Sequence, residues 1–329
     1  SLSMDLKRKG SARTLLQVIE SADVLLEGFR PGVMEKLGLG PDTCLARNPR
    51  LIYGRMTGWG QTGTLSQTAG HDINYIAITG ALNAMGSPTR PPDPPLNLVG
   101  DYGGGAMLLL VGVLAALEER HRSGQGQVID AAMSDGAALL MSPFYAMTAQ
   151  GDWQDRRGAN FLDGAAHYYG AYECSDKRFI ALGAIEPQFY RALMQKLGLE
   201  EAGLGDQTDP ATWPAQRERL EAVFKTRTRS EWCVLLEGID ACFAPVLSMS
   251  EAPQHPHNVS RQTFIERAGV HVPAPAPRFS RTPSQLADQA PQVGQHSQAI
   301  LEAAGLPTGD IESLIVQGAV HVREKARRF

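Results

Sequence analysis

The chain of 329 residues is 43% hydrophobic and 20% charged, with a net charge of −4. These proportions exclude a disordered chain and leave no basic field to gather nucleic acid, so a small-molecule partner is expected. Cys44, Cys174, Cys233 and Cys242 lie far apart without a paired CxxC spacing, which argues against a structural zinc site or a disulfide framework and fits a reducing compartment.

The length allows one large domain or two lobes. Ser11 reads as the N-cap of a helix whose Leu15, Leu16 and Ile19 form an apolar stripe, and Val24-Leu25-Leu26 as a short buried strand. Pro31-Gly32 turns the chain, Val33 to Leu37 reads as a helix stopped by Gly38, and Leu51-Ile52-Tyr53 opens another strand after Asn48-Pro49. This alternation predicts an α/β fold, a parallel sheet covered by helices. The pattern is entered at a helix, with no strand ahead of it and no signal peptide. Gly58-Trp59-Gly60-Gln61-Thr62-Gly63 matches GxGxxG, but Thr64 to Gly70 continues as polar loop and no acid follows at the ribose-binding distance. The motif therefore reads as a glycine-rich loop rather than a dinucleotide site.

Gly70-His71-Asp72-Ile73-Asn74-Tyr75 is the best candidate for chemistry. An imidazole is a tunable acid/base group, and a carboxylate, an amide and a phenol stand beside this one to orient it; a hydrogen-bonded structural pair is the alternative. A proline-rich stretch, Pro88 to Pro95, leads to Leu96 through Gly105, where Asp101 stands just before a helix ending near His121. Asp101 suits an N-cap, or, among glycines that admit a ligand to the backbone, a substrate-facing acid. The apolar run Ala106 to Leu117 is too short to span a bilayer. Val128-Ile129-Asp130 follows as a strand, and Ala131 to Ala149 as helix with Met133, Met141 and Met147 as core filler.

From Asp152 to Gly170 the chain reads as a linker, and a smaller unit follows. Ala171–Cys174 and Arg178–Leu182 predict a hairpin, with helices at about Gln188–Leu197, Trp213–Phe224 and Ser230–Leu236. Glu186 before Pro187 suits a helix start. Pro253 to Pro283 reads as a second linker whose His255 and His257 are solvated rather than a metal pair. Helices near Ser297–Ala304 and Ile311–Gln317 close the chain.

Gly70 to Tyr75, Pro95 to Leu98 with Asp101 and Gly103 to Gly105, Gly124 to Asp130, and Gly183-Ala184-Ile185-Glu186-Pro187-Gln188-Phe189-Tyr190 together resemble the α-methylacyl-CoA racemases of the family III CoA transferases. Asp23 to Gly40, Leu51 to Gly63, Arg157 to Gly164 and Asp240 to Leu247 follow the same pattern in the same order. The resemblance implies a Rossmann-like large domain plus a smaller α+β domain in an interlocked homodimer. The large CoA-binding domain would take residues 1–131 and return with roughly 276–329, with linkers at 132–170 and 256–275 and the small domain at 171–255.

The implied reaction interconverts (R)- and (S)-2-methylacyl-CoA esters, in fatty acid metabolism, with no metal and no other cofactor, CoA being part of the substrate. His71 and Asp101 are the implied acid/base pair on opposite faces of C2, with Glu186 of the partner subunit close to His71. Met4, Asp5, Leu6, Lys7, Arg30, Lys36, Gly70, Asp72, Ile73, Asn74 and Tyr75 are the implied binding residues, Arg30 and Lys36 lying near the phosphates. Two departures stand out: the family pattern starts with a further strand and helix, and relatives carry glycine and proline at Ala165 and His167. The alternatives are a CoA transferase with Asp101 as nucleophile, or a catalytically silent acyl-CoA-binding dimer. Arg327-Arg328-Phe329 is no evident peroxisomal signal, so the expected location is cytoplasmic for a bacterial source, with mitochondrion or peroxisome as alternatives.

Overall fold

The computed structural model describes residues 1–199, 206–287 and 289–322. Its contacts divide the chain into two units: Ser1–Asn83, Pro94–Met147 and Gln289–Phe329 in the first, Ala84–Asp93 and Thr148–Asp288 in the second.

In the first unit, Val24–Glu27, Ile52–Thr57 and Gln127–Ala132 form a parallel three-stranded sheet, with Ile52–Thr57 in the middle. Alternation along that central strand sends Tyr53 and Ile52 to opposite faces, both fully buried. Tyr53 joins Ile19, Met34, Leu39 and Cys44 beneath the helices Ser11–Ile19, Val33–Lys36 and Pro41–Arg47. Ile52 joins Leu109, Val113 and Ala116 of the helix Leu108–Ser123. Parallel strands need crossovers of this kind, and the helices cover both faces.

Several expectations change in detail. A strand does precede the first helix, but this piece, Ser3–Met4, pairs antiparallel with Val320–His321 rather than joining the parallel sheet. Ser11 is the first helical residue, not the cap; Gly10 takes the cap position and the Ser11 hydroxyl donates to the Asp5 carbonyl at 2.7 Å. Asp101 lies inside a helix, because a π-helix Leu98–Met107 runs directly into Leu108–Ser123. The combined helix has 26 residues and, by length and composition, could cross a membrane, so the reach estimated from Ala106–Leu117 was too short. One of its sides, Leu109, Val113 and Ala116, is buried, while Met107, Leu110, Val111 and Leu114 are exposed. The glycine run in the π-helix serves packing: Gly136 of the helix Met133–Leu140 lies against the Gly104 backbone, where a Cβ on Gly136 would overlap the Gly104 carbonyl.

In the second unit, Tyr169–Glu173, Phe179–Gly183 and Phe243–Pro245 make an antiparallel sheet. Helices Pro187–Leu197, Trp213–Phe224 and Arg229–Leu236 supply Leu193, Leu220, Phe224 and Trp232 to its core. The stretch read as a second linker holds a helix, Pro256–Arg261, and a hairpin, Phe264–Arg267 with Val270–Pro273. Arg327-Arg328-Phe329 lies outside the described residues.

Candidate active site

The parallel strands of the first unit all end on one side, and the chain leaving two of them encloses a cavity of about 270 Å³. Ligand sites recur at such carboxyl ends. Its lining includes Phe29 and Arg30 after the first strand, Thr57 at the end of the second and Trp59 beyond it, and His71 and Tyr75. Glu27, at the first strand's end, shapes the rim with both oxygens: one accepts the Phe29 amide N–H at 2.7 Å, the other the Arg55 Nε–H at 2.8 Å. Arg55 also reaches Glu35, and that hydrogen bond holds the Glu35 carboxyl below its usual range.

The glycine loop after Thr57 is wound on itself. The Gly60 N–H donates to Thr57 Oγ1 at 2.9 Å and the Gln61 N–H to Asp130 Oδ2 at 3.0 Å, and no helix follows Gly63. Amides committed in this way make no pyrophosphate cradle, in line with the reading of GxGxxG as a loop. Tyr75 fastens the next turn: its hydroxyl donates to the Gly70 carbonyl, its ring lies under Gly58, and Trp59 meets it edge-on with ring centroids 4.8 Å apart. Burial first, then the charge of Asp101, raises the Tyr75 phenol above its ordinary value, which keeps it a donor.

His71 is exposed and immediately precedes the short helix Asp72–Ala77, its N–H donating to Asn74 Oδ1 at 3.1 Å. Asp72 turns the other way. It is buried, and its Oδ2 accepts the N–H groups of both Gly100 and Asp101 at 2.7 Å. The segment carrying His71 and the turn carrying Asp101 are thus joined through one carboxylate. The Asp101 carboxylate is half-buried and accepts from Asn97 Nδ2 at 3.2 Å.

The other predicted residues fall into three groups. Gly70, Tyr75 and Arg30 line the cavity with His71, and Ile73 and Asn74 are exposed on the following turn. Met4 and Leu6 pack into hydrophobic clusters, Asp5 ties the chain to Ala319 through a 2.9 Å backbone bond, and Lys7 and Lys36 are exposed outside the cavity lining. Glu186 belongs to the second unit, where it is the exposed N-cap of Pro187–Leu197. No group of three metal-ligating side chains occurs among the described residues. Sequence reasoning overlooked Trp59, Asn97 and Asp130; the position of Asp130 near the end of a parallel strand was the available signal.

The chain is similar to known proteins over most of its length. Over 316 residues, covering 95% of this chain and 83% of the relative, the sequence is 46% identical to the Alpha-methylacyl-CoA racemase of Mus musculus. The corresponding human protein is 43% identical over the same shares of both chains. The crystal structure of Rv3272 from M. tuberculosis superposes with a TM-score of 0.74 at 26% identity, covering 91% of this chain and 80% of that one. The profile described as CoA-transferase family III matches residues 1–297, and the chain therefore belongs to that family.

Proposed function

We propose that the protein is a racemase interconverting (R)- and (S)-2-methylacyl-CoA esters through an enolate. The observation that carries this reading is the joining of His71 and Asp101 through Asp72, beside a cavity at the ends of the parallel strands. Inverting a carbon next to a thioester needs one proton removed from one face and another delivered to the opposite face, so two acid/base groups must flank one planar enolate. His71 takes the proton while a protonated Asp101 donates; in the reverse direction the roles exchange. Relatives named for this reaction at 43% and 46% identity support the assignment.

The enolate oxygen needs hydrogen-bond donors. The amides of Gly100 and Asp101 are already taken by Asp72, so the donors come from elsewhere. Arg30 in the cavity suits a phosphate of CoA, with Lys36 and Met4 to Lys7 completing the nucleotide contacts. Glu186 comes from a partner subunit in an interlocked homodimer, its two domains joined by linkers, and orients His71. The chemistry uses no metal and no redox cofactor.

The test incubates each enantiomer of a 2-methylacyl-CoA in deuterated water with a free acid present. Deuterium uptake at C2 with loss of configuration, and no new CoA ester, is the expected result. A new ester without exchange would replace this reading with a CoA transferase whose nucleophile is Asp101.

A further inference from the structure

We infer that Asp72 is a positioning residue whose carboxylate sets the Asp101 turn relative to His71, so that both faces of C2 are served in one encounter. This rests on the racemase reading above.

Asp72 is 5% exposed, and while its Oδ2 holds two amides, its Oδ1 is buried with no hydrogen-bond partner among the described residues. A buried carboxylate with one oxygen idle is a poor device for stability alone. The approach is so close that only glycine fits opposite: a Cβ on Gly100 would lie 2.7 Å from Oδ2 and 3.2 Å from Ile76 Cγ2. His71 is held separately, its N–H bound to Asn74. The Asp72 carboxylate therefore acts on the Asp101 side of the site.

That asymmetry has a stereochemical signature. When His71 removes the C2 proton, the pair left on carbon becomes the enolate and the imidazole becomes cationic. After exchange with solvent, the imidazolium can return a deuteron to the same face, giving labelled substrate of unchanged configuration. Inversion instead needs Asp101 to release its proton to the opposite face and become a carboxylate. Loosening the Asp101 turn suppresses the second path and spares the first.

The experiment compares wild type with Asp72→Asn, Asp72→Ala and Gly100→Ala, following deuterium uptake and configuration for each enantiomer, with circular dichroism as the check on folding. The expected result is at least a tenfold rise in the ratio of exchange with retention to inversion. It should occur for one enantiomer only, with KM little changed, and Asp72→Asn should be milder than Asp72→Ala because it keeps an acceptor oxygen. Gly100→Ala, which disturbs the same contact from the far side, should shift the partition in the same direction. An unchanged ratio in folded Asp72→Asn or Gly100→Ala, or an equal fall in exchange and inversion for both enantiomers, overturns the inference while leaving the racemase reading intact. Absence of exchange in the wild type would remove both.

Discussion

At the scale of single residues, the site is a set of polar groups held by backbone contacts. His71 is exposed and the Asp101 carboxylate accepts only from Asn97 among the hydrogen bonds described, so neither side chain carries much of the fold. His71→Ala and Asp101→Ala should each lower racemisation by about 10²–10⁴-fold, the usual worth of a positioned acid/base group. Chiral chromatography of product would measure the loss, with near-native melting curves as control. The residue types of this site were legible in Gly70 to Tyr75 and at Asp101, whereas the bond that joins them was not. From sequence, Asp72 was a neighbour of His71; only the fold brings Gly100, 28 residues on, to its carboxylate. For the same reason the commitment of the Gly100 and Asp101 amides to Asp72 could not be read from the sequence.

Among the elements, those with a regular period were readable. Val24–Glu27 and Ile52–Thr57 stand out as short apolar runs between turn residues, and Trp213–Phe224 as a helix of the expected length. The misses have local causes. Pro41–Arg47 begins with proline at its first position, a start signal that was passed over, and Asp72–Ala77 is too short to show a period. The hairpin Phe264–Pro273 hides in proline-rich sequence and turns at Ala268-Gly269, both left-handed at φ 50° and 79°, where alanine gives no warning. The glycines after Asp101 were read as room for a ligand, yet Gly104 meets Gly136 across a helix contact. A Cβ on Gly104 would lie 2.6 Å from the Ala137 nitrogen and one on Gly136 would overlap the Gly104 carbonyl. Gly136→Ala should therefore destabilise the first unit by about 1–3 kcal/mol, as overpacking does, measured by urea denaturation.

For the whole molecule, one source of acid sensitivity is a buried imidazole in the second unit. His167 is fully buried, its Nε2 2.8 Å from the Tyr190 hydroxyl and its Nδ1 without a partner among the described residues. Burial, then the charge of Arg217, lowers its pKa from 6.5 to about 4. The unfolded chain thus binds this proton more readily than the folded one. The contribution of neutral His167 is full above about pH 6.5 and is lost as pH falls toward 4, a decline of about 3 kcal/mol. Urea midpoints of wild type should fall faster over that range than those of His167→Phe; parallel decline would count against it. A different consequence follows from Ser3–Met4 pairing with Val320–His321, in a unit whose three stretches are interrupted by the other. A ribosome making about 5–20 residues per second leaves the early strand waiting tens of seconds for its mate. The second unit can close while the first is still unfinished, so nascent chains should acquire protease resistance from the middle outward.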